Sequence, residues 1–184
     1  MRKLMSRSEY AEETPSLRQL YDRHTGKVSD KWSLYLDEYD RNFAAFRRAP
    51  VRLLEIGVQN GGSLEIWSKF FPKFRTIVGC DIDKRTAELH FADSKIHLII
   101  GDSNTDDTLI KVVSKSPKYD IIIDDGSHEA SNIIGNFLRY FPLLEDNGVY
   151  AVEDLHCSYW SSHNGGLLHP HGPIEFFKKL VDII

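Results

Sequence analysis

The chain has 184 residues, 41% of them hydrophobic and 27% charged, with a formal charge of -4. That length suits one domain with a sizeable core, and the composition excludes a disordered or membrane-embedded chain. The acidic balance and the lack of a Lys/Arg run give no field for a polyanion, so neither nucleic acid nor a membrane is an expected partner.

The N-terminal stretch "MRKLMSRSEYAEETP" turns polar and acidic where a signal peptide needs an apolar run. Cys80 and Cys157 are the only cysteines, without CxxC or finger spacing, which is the usage of a reducing compartment. A cytoplasmic protein is expected.

Residues 29 to 48, "SDKWSLYLDEYDRNFAAFRR", carry Trp32, Tyr35, Leu36, Tyr39, Phe43 and Phe46 at three- and four-residue steps. This predicts an amphipathic helix behind caps at Ser29 or Asp30. Pro50 closes it, and "VRLLEIG" follows as a short apolar run suited to a buried strand. Strand-like runs then recur at 76 to 83, 95 to 102, 119 to 126 and 147 to 154, separated by helix-like stretches near 63 to 71, 84 to 91, 105 to 115 and 129 to 144. The alternation predicts an α/β fold: a doubly wound, mostly parallel Rossmann-like sheet with helices on both faces. A helical region over 1 to 49 precedes this unit over 50 to 184, the whole forming one compact domain. The loop 156 to 173 is long enough to be functional; its histidines and its Tyr159 and Trp160 receive no specific role. One more helix-like stretch, "IEFFKKLVDII", ends the sequence where such sheets often add strands, so a truncated or minimal version of the fold is expected.

The turn "LLEIGVQNGGS" places Gly57, Gly61 and Gly62 where a first strand meets a helix, with Ser63 available as a cap. Glycines there let the backbone approach a small ligand. The spacing is GxxxGG, not the GxGxxG of dinucleotide sites, so no pyrophosphate is indicated. Acids stand at successive strand ends: Glu55 on the first, Asp81 (favoured over Asp83) on the second as a ribose ligand, and Asp102 on the third. Each could instead cap a following helix.

The fourth strand ends in Asp124-Asp125 and the fifth in Glu153-Asp154. On neighbouring strands these carboxylates stand about 4.8 Å apart and repel unless protons or a cation offset them. Oxygen donors so grouped favour Mg²⁺ or Ca²⁺. Neighbouring residues of a strand face opposite ways, so a subset would hold the ion. Gly126 and Ser127 turn the chain so that His128 reaches the same rim, where an imidazole can take a proton from a hydroxyl.

"EIGVQNGGS", "VGCDID" and "GDSN" resemble the class I S-adenosylmethionine-dependent methyltransferases over roughly residues 51 to 154. The resemblance implies that Gly57 and Gly61 border the methionine part of the cofactor, Asp81 its ribose, and Asp102 and Ser103 its adenine. "IDDGSH" with "VEDLHCSYW" is similar more narrowly to the metal-dependent sugar O-methyltransferases of macrolide biosynthesis and their cephalosporin-type relatives; "RHTGKVSDKW" resembles their cofactor-side N-terminal region only loosely. That similarity implies Mg²⁺ on Asp125, Glu153 and Asp154, His128 as base, and Asp124 near the methionine end or in the shell behind the metal. The implied function is Mg-dependent O-methylation of a small-molecule acceptor, a glycosylated natural product, in antibiotic biosynthesis, by a chain that could form a homo-oligomer. A NAD-dependent oxidoreductase and a non-catalytic nucleotide-binding domain stand as alternatives.

Overall fold

The structure, a computed structural model, describes residues 14 to 183. The N-terminal stretch to residue 13 lies outside it. Five strands, β1 (Arg52–Ile56), β2 (Thr76–Asp81), β3 (Ile96–Ile100), β4 (Tyr119–Asp124) and β5 (Leu144–Val152), form one sheet in the order β3-β2-β1-β4-β5. Every pairing is parallel, where the sequence pattern predicts a mostly parallel sheet. The order reverses at β1, and in such sheets ligands bind outside the carboxyl ends of the strands at that point.

Strand alternation divides the core in two. Leu53, Ile77, Ile121 and Ile123 face one side with Trp67, Phe70 and Phe71 of the segment after β1. Leu54, Ile56, Val78 and Ile122 face the other with Val112 and Tyr140. Burial on both faces explains why the central strands read as largely apolar runs, and each fully buried Leu or Ile contributes about 2 kcal/mol.

Among the described residues six helices, α1 (Leu17–Asp22), α2 (Ser33–Asn42), α3 (Gly62–Phe70), α4 (Asp106–Lys115), α5 (Ala130–Tyr140) and α6 (Pro173–Val181), flank the sheet. Leu17 of α1 and Leu36 and Tyr39 of α2 share one core with Leu53 and Trp67. Helix α1 falls in the stretch expected to be helical over 1 to 49, and Ser16 and Gln19 form a capping box at its start. Among the described residues no helix is long and apolar enough to cross a membrane.

Several predicted boundaries need correction. The helix expected over 29 to 48 is α2 followed by a 3₁₀ turn, Ala44–Phe46. It starts behind Trp32 without a side-chain cap: Ser29 bonds the Tyr21 hydroxyl instead, and Asp30 lines the main cleft. The stretch 84 to 91 is only a 3₁₀ turn, Lys84–Glu88, capped by Asp83. Helix α5 gives way at Phe141 to a 3₁₀ turn holding Pro142, as proline disfavours continuation of the ladder. β5 begins at Leu144, and its pairing with β4 is irregular between Tyr119 and Ile121, near Asn147 at φ 66°.

Candidate active site

A cleft of about 500 Å³ opens across the carboxyl ends of the strands. Its floor is the turn between β1 and α3. Gly57 holds φ 89° and Gly61 φ 79°. A Cβ on Gly57 would stand 1.9 Å from the Asp125 carbonyl oxygen, so glycine is what lets the tips of β1 and β4 touch.

Asp81 fixes this turn. Its Oδ2 accepts the Val58 and Gln59 amides at 2.8 and 2.9 Å, and its Oδ1 accepts the Asp83 amide at 2.8 Å. Asp81 therefore shapes the cleft wall as well as lining it. Asp102 and Ser103 line the cleft beyond β3; Asp102 Oδ1 accepts the Asn104 amide at 2.8 Å.

Three sequence expectations are corrected here. Glu55 is fully buried beneath the turn and does not reach the cleft, because alternation along β1 points it toward α2 and α3. Ser63 is not the cap of α3. The cap is Gly61, and the Ser63 hydroxyl donates to Glu55 Oε2 at 2.7 Å. Asp124 points to the opposite side of the sheet from Asp125, where Asn136 Nδ2 lies 3.1 Å from both its oxygens. Burial pushes its carboxyl up to about 7.

The remaining acids converge around a residue that the sequence pattern does not single out. Lys31 Nζ lies 2.6 Å from Glu153 Oε1, 2.7 Å from Asp125 Oδ2 and 3.1 Å from Glu55 Oε1, and its side chain is 2% exposed. Burial works against its charge, but the three carboxylates outweigh burial and hold the ammonium well above its ordinary pKa. Burial, with Asp125 nearby, pushes Glu153 up to about 7 although Lys31 and Tyr39 both bond it. Tyr39 donates to Glu153 Oε1 at 2.6 Å, and Tyr35 donates to Asp154 Oδ1 at 2.8 Å. These tyrosines read in the sequence as core positions of α2, and only their hydroxyls betray a second task. The only signal for Lys31 is its place in "RHTGKVSDKW", which assigns it no role.

On the solvent side of this cluster, His128 Nε2 lies 3.5 Å from Asp154 Oδ2 and 3.9 Å from Asp125 Oδ1. One ligand atom from each of Asp125, His128 and Asp154 falls within 4.8 Å of the others. Glu153, expected as a third acid ligand, lines the cleft and gives Oε1 to Lys31 and Tyr39. One ammonium against several carboxylates leaves the cluster short of positive charge, and its part-exposed oxygens are hard donors, so these residues fit a divalent cation such as Mg²⁺.

No family model matches the chain. It is 33% identical over 180 residues to the 8-demethyl-8-alpha-L-rhamnosyl tetracenomycin-C 2'-O-methyltransferase of Streptomyces olivaceus, covering 92% of this chain and 46% of that protein. It is 34% identical over 181 residues to the mycinamicin VI 2''-O-methyltransferase of Micromonospora griseorubida, covering 92% of this chain and 44% of that protein. Among solved structures, the MycE methyltransferase of the mycinamycin pathway, in complex with Mg, SAH and mycinamycin VI, matches with a TM-score of 0.79 and 31% identity over 91% of this chain and 45% of that one. The chain thus spans less than half the length of these relatives. By sequence and by fold, the chain is a homologue of the macrolide and tetracenomycin sugar O-methyltransferases and carries a class I methyltransferase sheet.

Proposed function

We propose that the protein transfers a methyl group from S-adenosylmethionine to a hydroxyl oxygen on the sugar of a glycosylated small molecule, with Mg²⁺ as cofactor. The observation that carries this reading is the meeting of His128, Asp125 and Asp154 at one end of a cleft whose other walls are the Gly57 turn, Asp81 and Asp102. The methyltransferase relatives, and MycE holding Mg and SAH, support it.

In this reading the Gly57 turn and Asp81 seat the cofactor's methionine and ribose, and Asp102 and Ser103 border its adenine. Asp125 and Asp154, with Glu153 behind them, hold the cation. A bound Mg²⁺ supplies Lewis acidity that lowers the pKa of a ligated hydroxyl and orients it. His128 Nε2 takes that hydroxyl's proton while the oxygen takes the methyl, leaving S-adenosylhomocysteine. The buried free thiols of Cys80 and Cys157 are consistent with a reducing, cytoplasmic setting.

The test is turnover: methyl-labelled S-adenosylmethionine offered with mycinamicin VI and with the rhamnosyl tetracenomycin, each with Mg²⁺ and with EDTA. Label transfer that EDTA abolishes and Mg²⁺ restores is expected. S-adenosylhomocysteine binding without transfer to any glycoside would move the assignment to a non-catalytic domain. The oxidoreductase reading loses ground, since the relatives named above are methyltransferases.

A further inference from the structure

We propose that Lys31 is a built-in cation, fixed in the inner of two cation seats that share Asp125, so that a single exchangeable divalent ion is left for the outer seat. The proposal rests on the metal-dependent reading above and concerns what that reading does not use. Glu55, Asp125 and Glu153 come from the ends of β1, β4 and β5, and all three turn toward one buried point. Lys31 Nζ occupies that point.

Two details separate this arrangement from an ordinary buried ion pair. First, the Asp125 carboxylate is divided: Oδ2 meets Lys31 at 2.7 Å, whereas Oδ1 looks outward to His128 at 3.9 Å. Asp125 thus belongs to an inner group with Glu55 and Glu153 and to an outer one with His128 and Asp154. Second, Glu55 Oε1 is buried without a hydrogen bond and faces the inner seat. Its partner is the Lys31 ammonium at 3.1 Å, so this oxygen is held by charge rather than by an aligned hydrogen bond, as a cation ligand is.

An ammonium tethered through its own backbone fills that seat, and the cost of taking it out of water is offset by the three carboxylates around it. It also pins Asp125 and Glu153 from one side, leaving Asp125 Oδ1 and Asp154 to the exchangeable ion. Lys31 is in these terms a positioning residue. Removing its charge exposes the buried carboxylates of Glu55 and Glu153 and the part-exposed one of Asp125 to one another, and a second divalent cation is the natural replacement.

The experiment uses Lys31→Met and the charge-balanced pair Lys31→Met with Glu55→Gln. Bound Mn²⁺ is counted by paramagnetic resonance, and melting is followed in EDTA and in Mn²⁺. Wild type is expected to bind one ion. Lys31→Met should bind two, with the broadened signal of neighbouring Mn²⁺, should melt below wild type in EDTA, and should regain more of its melting temperature with Mn²⁺ than wild type does. The pair should recover stability in EDTA and return to one ion. A Lys31→Met protein that binds a single ion and melts alike in both media would overturn the proposal. So would failure of both variants to fold in either medium, which would leave Lys31 a packing role. A wild type that takes up no Mn²⁺ would instead defeat the metal-dependent reading, while the uptake by Lys31→Met would still judge the role of Lys31.

Discussion

His128 Nε2 and Asp154 Oδ2 lie 3.5 Å apart although the residues come from different strand ends, and Asp154 is in turn held by the Tyr35 hydroxyl on Oδ1 and on its amide. The carboxylate beside the imidazole is thus itself fixed. His128→Ala is expected to keep S-adenosylhomocysteine affinity within about twofold and to lower kcat by about 10² to 10⁴ fold. Calorimetric titration beside a single-turnover assay measures both; a variant with near-normal kcat would remove His128 as the base.

Asp154→Asn keeps the shape of the side chain and deletes a negative charge from the outer seat. The Mg²⁺ needed for half-maximal turnover should rise at least about tenfold, because ligand charge tunes the affinity of oxygen sites for hard cations. An unchanged Mg²⁺ titration would take Asp154 out of the ligand set.

Asp81→Ala frees the Val58 and Gln59 amides together. A hydrogen bond to a charged group is worth about 1.5 to 3 kcal/mol, so the dissociation constant for S-adenosylhomocysteine should rise about tenfold or more, since each 1.4 kcal/mol is a factor of ten. Equal affinity in the variant would show that the turn holds its shape without Asp81.

At the other end of the strands, Arg52 meets Asp120 through its amide at 2.8 Å and its guanidinium at 2.9 and 3.0 Å. Burial works against the charged carboxylate, but the Arg52 bonds outweigh it and hold Asp120 below the ordinary range. Because the folded value lies below the unfolded one, the stabilisation is complete above about pH 4 and is lost as the pH falls through the folded value. Asp120→Asn should therefore lower unfolding free energy by about 2 kcal/mol at pH 7, and the gap to wild type should close in acid. Denaturant midpoints across pH check this; a gap independent of pH would assign the loss to shape.

The five strands were readable because β1 and β4 bury both faces, which leaves short apolar runs, the leucines of "LLEI" broken only by Glu55 and the isoleucines of "IIID" closed by Asp124. The glycine turn and the acids at the strand tips were readable for the same reason: they stand where such runs stop. Which acid turns which way was not. Asp124 and Asp125 are neighbours in sequence, yet one meets Asn136 and the other Lys31, and only the face of the sheet decides. Lys31 itself lies 94 residues from Asp125, a distance that no local pattern spans. Tyr35 and Tyr39 hid behind their rings, since an aromatic residue at helical spacing reads as core whether or not its hydroxyl has a partner.

His128 and Asp154 both hold left-handed backbone, at φ 58° and 53°. Glycine adopts that conformation freely, whereas a side chain there costs of the order of 1 kcal/mol. Variants chosen only for resistance to heat should therefore drift toward glycine at these two positions and discard the imidazole and the carboxylate together. At this rim, sturdiness and chemistry pull the sequence in opposite directions.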